Sequence, residues 1–524
     1  MPIRARDVAK ELQRLDVSKV TGPDKISAFI LRRLAHVLAI PIAILCRRIL
    51  FEACWPEQWK LHHLVPIFKR GVAFLAKNYR GVHLTCVIAK TVERIIGKPL
   101  VQHLQLHAFG ENQWAFTKKR SARDLATLCV CTWLFAICTG YKIGAFLSDI
   151  TGAFHRFFKN YLMAKLYRAG IGDVYLNFLN AYLEPRIGRV TIAGVFSDAF
   201  QISDNVFQET VLGPTLWNVF FADVMHSARA HGGKEALFAD DLNVFQKFAR
   251  SCSNVEVKHA LCHTQQEVHK WGERFRVTFD ASKEHAIIIH PIDGEGETVK
   301  LLGNLIDTKL DMDDAISSIV SKTRPKVAAM VRTKRHYNVQ AMLNQYKTHV
   351  WGYAEYQDGC IAHAASHKLE RIESIHRHFL WDIFIDEQNA FVSYNFAPAI
   401  LRRDIDLLGL IHKRVLDLAH PAFSILLPWA PEAWYTCRFP PRHNKQLDNG
   451  RSQVVFSHAI FNRSLFGLVD IYNRLSQDII DRPSIKAFQH DLTCVAKCRC
   501  VANMSDWKLS FNAYYHSNHA FVSV

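Results

Sequence analysis

The stretch LFADDL at 237–242 sets two carboxylates side by side between apolar residues. Adjacent like charges repel, so the pair is costly unless a cation is shared between them. The surrounding run KEALFADDLNVFQKF (234–248) reads apolar, turn-like, apolar, which predicts a β-hairpin carrying Asp240 and Asp241 at its tip. A second pair, Asp313-Asp314 in DMDDAISSIV, is the internal control. It opens a helical pattern, where acids favour the helix N-terminus, a reward that a hairpin tip does not offer. A third carboxylate, Asp149, ends the strand pattern IGAFLSD (143–149). Neighbouring strands of one sheet can bring Asp149 beside Asp240. Two facing strand-end carboxylates can hold two Mg²⁺ ions (Mn²⁺ is the substitute) roughly 4 Å apart, activating a hydroxyl nucleophile and neutralising a leaving pyrophosphate. That is the chemistry of nucleotidyl transfer.

The elements around these residues predict an α+β chain. NYLMAKLYRAG (160–170) is a helix ending in glycine, and TVLGPTLWNVFFADVMHSAR (210–229) a second helix with Gly213-Pro214 near its start. A third follows the hairpin, with Val257, Leu261, Val268, Trp271 and Phe275 on one face. HAIIIH (285–290) is another strand, and helices interleaved with strands in this way form the split β-α-β pattern of a ferredoxin-like sheet. The first hundred residues read as helical, with VAKELQRL (8–15) separated from one long helix over 26–53 by the turn TGPDK. Beyond residue 310 the chain is mostly helical and basic.

The net charge of +17 over 524 residues points to a polyanion, nucleic acid before membrane. No apolar run is long enough to span a bilayer, and the charged start MPIRARDVAKELQRL is no signal peptide. Thirteen cysteines without a regular framework favour reduced thiols inside the cell. CVAKCRC supplies Cys494, Cys498 and Cys500, with His516 and His519 later, but the spacing fits no zinc knuckle.

SDITGAFHRF, FQETVLGPTLWN, LFADDL, VTFDASKEHAIII and VKLLGNLID stand in the order of the reverse transcriptase palm motifs. Upstream, GPDKI, WPEQWKLHHLVPIFKRG and NYRGVHLTCVIAKTVERII resemble the fingers segments, and NQWAFTKKRSARDL is similar to the usual QFGFRKGRST-like stretch. IYNRLSQDIIDRPSIKAFQHDL is similar to the tail of jockey-like elements. The chain thus resembles the non-LTR, LINE-type retrotransposon enzymes over most of its length.

That resemblance implies a right-hand polymerase. Residues 1–60 would be a helical extension and fingers, 61–310 fingers and a ferredoxin-like palm, 311–385 a helical thumb, and 386–524 a C-terminal region of retrotransposon type. Asp149, Asp240 and Asp241 would be the metal site, and Lys283 the proton donor to pyrophosphate. Phe154 would be the steric gate pressing on the sugar where a 2′-hydroxyl would project. Lys69 and Arg80 would meet the triphosphate, Gln208 would lie near the template-nucleotide pair, and Leu302-Gly303 would form the turn of the primer grip. Lys118, Lys119 and Arg120 would touch the template side. Lys322, Arg324, Lys326, Arg332, Lys334 and Arg335 would neutralise duplex phosphates; taken alone, such runs are also ordinary solvated faces. The implied partners are an RNA template, a DNA primer or target and deoxynucleoside triphosphates, in the nucleus first and the cytoplasm second. The family's endonuclease has no room ahead of this pattern, so target cleavage, if any, is expected from another chain or a missing exon.

The pattern also departs from the family. Phe207-Gln208-Glu209 replaces Pro-Gln-Gly, His155 stands where an aspartate usually follows the gate, and Gly81 replaces a proline. Glu209 adds bulk and a charge that repels triphosphate. The first reading is an active RNA-directed DNA polymerase. The second is a catalytically inactive retroelement remnant that only binds nucleic acid.

Overall fold

The computed structural model describes residues 3–150, 158–203, 206, 207, 209–431 and 442–513. The chain opens with α1 (Ala5–Gln13), α2 (Ala28–Arg33) and α3 (Ala35–Phe51). Next come β1 (Leu61–Phe68), β2 (Tyr79–Leu84), α4 (Val87–His107), α5 (Ala122–Cys138) and β3 (Tyr141–Ser148). Helices α6 (Lys159–Arg168) and α7 (Asp173–Tyr182) precede β4 (Arg186–Ile192), β5 (Val195–Phe196) and β6 (Phe200–Ile202). Then follow α8 (Gly213–Phe221), α9 (Val224–Arg229), β7 (Lys234–Phe238), β8 (Asp241–Ala249) and α10 (Asn254–Phe275). Strands β9 (His285–Ile289), β10 (Val299–Leu301) and β11 (Asn304–Ile306) lead to α11 (Asp313–Arg332). The remainder is helical, its longest helices spanning Ser366–Asp382, Ala399–Val415 and Ile485–Val501.

Three sequence expectations need correction. The first hundred residues are not all helical, because β1 and β2 pair antiparallel from His63↔Leu84 to Phe68↔Tyr79. The helix expected over 26–53 breaks at Leu34 into α2 and α3. The helix expected over 210–229 is broken as well, with Ala222-Asp223 between α8 and α9. The Lys165 ammonium donates to the Phe220 carbonyl and, at 2.7 Å, to the Asp223 carboxylate, which also accepts from the Trp271 indole at 2.9 Å. These bonds use groups that an unbroken helix would hold differently.

The other predicted elements form where expected. β3, the 234–248 hairpin, α6 and β9 all stand, and Val257, Leu261, Val268, Trp271 and Phe275 are buried along α10. Asp313 and Asp314 occupy the first turn of α11. A four-stranded sheet has the order β7-β8-β3-β9, and a second sheet the order β2-β1-β4-β5, with β6 on β4.

The chain divides into two compact units. The first comprises Met1–Thr117, Ser148–Leu242 and His263–Glu284. It holds the second sheet, in which β1 also pairs parallel with β4 (Leu61↔Ile187), and α1, α3, α4 and α7 pack together. The second comprises Lys118–Leu147, Asn243–Cys262 and His285–Val524. There β9 runs antiparallel to β3, and a helical core gathers Leu401, Leu408, Phe466, Tyr472, Phe488 and Leu492. Burying such apolar area is the main favourable term in folding. Among the described residues no helix is long and apolar enough to cross a membrane.

Candidate active site

The turn between β7 and β8 is Ala239-Asp240. Ala239 adopts φ +58°, a left-handed conformation that side chains other than glycine's and asparagine's rarely take. Gln113 and Trp217 hold it there. The Gln113 amide oxygen accepts the Ala239 N–H at 3.1 Å, and the Trp217 indole N–H donates to the Ala239 carbonyl at 3.1 Å. Residues 112–114 pair alongside β7, with Trp114 N–H donating to the Leu237 carbonyl at 2.9 Å and Leu237 N–H to the Asn112 carbonyl at 3.0 Å. The NQW motif is therefore the scaffold of the acidic turn, a role that sequence reading missed.

Asp149 is the first residue past β3. Its backbone carbonyl accepts the Asp280 N–H at 2.9 Å, and Ile150 bridges Phe279. Its carboxylate forms an ion pair with Lys283, whose ammonium also stands 3.5 Å from Asp280. The hydrogen bond to Asp149 raises the Lys283 pKa above that of an ordinary lysine. Burial pushes the Asp240 carboxyl upward, the charge of Asp149 pushes it further, and Lys283 and Arg80 pull it back. Residues far apart in sequence thus act on one carboxyl group. Asp149, Asp240 and Asp241 do not stand as a ready-made cluster: among the described residues, no three His, Cys, Asp or Glu side chains are grouped as metal ligands. Asp149 is turned instead to the Lys283 cation.

The remaining candidates vary in setting. Arg80 is exposed on β2 within charge reach of Asp240, whereas Lys69 is exposed just past β1. Leu302 (φ +47°) and Gly303 (φ +91°) form the tight turn between β10 and β11 that the sequence predicts. The Leu302 carbonyl accepts the Tyr356 hydroxyl at 2.8 Å. Lys118 and Lys119 are exposed, and Arg120 is half-buried. Lys322, Arg324, Lys326, Arg332 and Arg335 are exposed. Lys322 and Lys326, one turn apart on α11, both stand over the Tyr353 ring, at 5.3 and 5.1 Å. Lys334 lies beyond α11 and is already engaged, donating to the Asp382 carbonyl at 2.8 Å. Phe154, His155 and Gln208 lie outside the described residues. Glu209, which stands where the family usually has glycine, is exposed at φ +61°.

Residues 67–306 match the family described as "Reverse transcriptase (RNA-dependent DNA polymerase)". The chain carries a reverse transcriptase domain. That domain contains Lys69, Arg80, Asp149, Asp240, Asp241, Lys283, Leu302 and Gly303, while the cations of α11 lie beyond it. Among its relatives is "RNA-directed DNA polymerase from mobile element jockey" of Drosophila melanogaster, 26% identical over 370 residues, covering 66% of this chain and 40% of that protein. From the same organism, "Probable RNA-directed DNA polymerase from transposon BS" is 25% identical, covering 54% of this chain and 32% of its own. "Probable RNA-directed DNA polymerase from transposon X-element" is also 25% identical, covering 62% and 37%. All three of these relatives are named as mobile-element or transposon polymerases. The chain spans only 32–40% of the length of these relatives. Among solved structures, apo telomerase from Candida tropicalis, truncated from the C-terminal domain, aligns at a TM-score of 0.36 and 11% identity over 55% of this chain and 62% of that one.

Proposed function

We propose that this chain is an RNA-directed DNA polymerase of a non-LTR retrotransposon, extending a DNA 3′-hydroxyl on an RNA template. The observation that carries the reading is the reverse transcriptase match over residues 67–306, within which Asp149 pairs with Lys283 and its charge acts on Asp240. A half-buried carboxyl raised partly by the charge of another carboxylate is the kind of donor suited to a hard divalent cation. Asp149 and Asp240, with Asp241 beside them, would hold two Mg²⁺ ions, or Mn²⁺ in their place, and the metal would supply charge neutralisation at the attacking hydroxyl and the leaving pyrophosphate.

The protein's own groups do the rest. Lys283, kept protonated by Asp149, is placed to give a proton to the departing pyrophosphate. Lys69 and Arg80 offset the charge of the incoming triphosphate. The steric gate against a ribose hydroxyl is assigned to Phe154 and the contact with the template-nucleotide pair to Gln208, by their positions in the family motifs alone. The Leu302-Gly303 turn steadies the primer end. Lys118, Lys119 and Arg120 guide the template, and Lys322, Arg324, Lys326, Arg332 and Arg335 follow the hybrid backbone.

In this reading the sheet of order β7-β8-β3-β9 is a ferredoxin-like palm. Residues 61–310 supply fingers and palm, 311–385 the thumb and 386–524 the retrotransposon tail. The work is done in the nucleus, at chromosomal DNA. The test is extension of a DNA primer on an RNA template with Mg²⁺, beside Asp240→Asn. Incorporation that vanishes in the variant is expected; no incorporation by the parent chain would overturn the reading.

A further inference from the structure

Asp149 and Lys283 have neighbours of a different kind. β3 and β9 pair in the register Ile143↔Ile289 to Leu147↔His285. One step further along both strands, the Ser148 hydroxyl donates to the Glu284 carboxylate at 3.1 Å. One step more, Asp149 meets Lys283. Side chains alternate along paired strands, so the two adjacent pairs point to opposite faces. Asp149 and Lys283 are open to solvent, whereas the Glu284 side chain is only 7% exposed.

The face that Glu284 occupies is that of α10. Its carboxylate accepts from the Gln265 amide at 2.7 Å and from His269 Nε2 at 2.7 Å, besides Ser148. The His269 ring also stacks on Phe279, with centroids 5.5 Å apart and planes 12° from parallel. Phe279 in turn bridges Ile150. Gly272 allows this close approach, since a Cβ there would meet the Phe279 ring at 2.9 Å. The residue before Asp149 and the residue after it are therefore both tied to α10, and the two ties meet at His269.

We propose that Glu284 and His269 are positioning residues: they fix the direction of the Asp149 carboxylate and hold Lys283 opposite it, without touching substrate. The inference rests on the polymerase reading for its link to catalysis, but the bracing itself is independent of it. Removing the carboxylate strands three donors, Ser148, Gln265 and His269. Freeing the Asp149 segment misaligns the reacting groups, and small misplacements lower turnover rather than binding.

The experiment compares the full chain with Glu284→Leu, Glu284→Gln and His269→Ala in primer extension and in hydrogen exchange without metal or nucleotide. Expected for Glu284→Leu is a fall in kcat of roughly 30-fold with nucleotide KM within about 2-fold. Glu284→Gln, whose amide oxygen still accepts and whose NH₂ pairs with a flipped Gln265, restores most of the rate. Peptides spanning residues 144–150 exchange faster in Glu284→Leu and in His269→Ala. If Glu284→Leu does not fold, His269→Ala carries both measurements. Equal losses in the Gln and Leu variants, or unchanged exchange together with unchanged kcat, overturn the inference. A parent chain that extends no primer overturns the polymerase reading alone, and exchange then decides the bracing.

Discussion

The Glu93 carboxylate of α4 accepts the backbone N–H of Leu212 at 2.7 Å, tying that helix to the residue that precedes α8. The same oxygen accepts the Tyr182 hydroxyl at 2.6 Å. Glu93 is buried, and burial raises its pKa while the two donors and Arg186 lower it. The loop ending at Leu212 carries Phe207, Gln208 and Glu209, so a side chain more than a hundred residues upstream sets where that loop ends.

Glu93→Ala leaves Tyr182 and Leu212 with unpaired buried donors. The expected loss is about 3 kcal/mol, read as a lowered midpoint in thermal denaturation. Glu93→Gln, which keeps an acceptor, loses less.

Glu209 is the second place where the loop is under load. Its φ of +61° favours glycine, and its charge acts on Lys90, whose pKa it raises against the lowering by burial. Glu209→Gly is expected to stabilise the fold by about 1 kcal/mol through relief of the left-handed conformation. It is also expected to lower the nucleotide KM, since a negative charge no longer faces the triphosphate. Steady-state kinetics with varied nucleotide checks this; an unchanged KM would mean that Glu209 does not face the substrate.

Asp358 and Asp404 predict a pH dependence of stability. Burial raises each to about 7, and Arg403, which donates to Asp358 at 3.3 Å, opposes the shift in both. Because the folded pKa exceeds the unfolded one, their contribution is fully present below the unfolded carboxylate range and is lost as pH climbs through about 7. The denaturation midpoint should therefore drop as pH rises from about 4 to about 7 and level off above, with a slope of up to about 1.4 kcal/mol per pH unit for each proton. Asp404→Asn flattens that slope.

Lys322 and Lys326 share one face of α11 and both stand over the Tyr353 ring. Replacing both with Ala should reduce the slope of log Kd against log salt for an RNA–DNA hybrid by about 0.9 for each phosphate that is no longer neutralised. Lys334→Ala should change the slope less than the double variant, since the Lys334 ammonium donates to the Asp382 carbonyl at 2.8 Å, closer than Lys326 is to the His349 carbonyl at 3.3 Å. Equal slopes for all variants would assign these cations to a solvated surface.

Much of the frame around the acids was legible. The short apolar run at 143–147, the hairpin around Asp240 and the one-sided apolar face of α10 are local signals, and the structure follows them, with Asp241 opening β8 and not sitting in the turn. What sequence could not show came from partners distant along the chain. LHHLVPIF lacks a clean alternation because much of β1 is only half-buried, so its strand nature depends on pairing with β2 and β4. The break after α8 depends on Lys165, over fifty residues away. Glu284 was adjacent to a residue already singled out, but only the register with Ser148 reveals its use. Gln113 was within a quoted motif, yet its hold on Ala239 needed the folded turn.

The alternation at the ends of β3 and β9 leaves no tolerance for indels. Inserting a single amino acid between Glu284 and His285 would turn the ammonium toward the α10 side and present an acid to Asp149 instead. Anion would then confront anion. A frame-preserving gain of one codon there should thus be more damaging than many point substitutions, a liability peculiar to ribbons that serve two masters on their two sides.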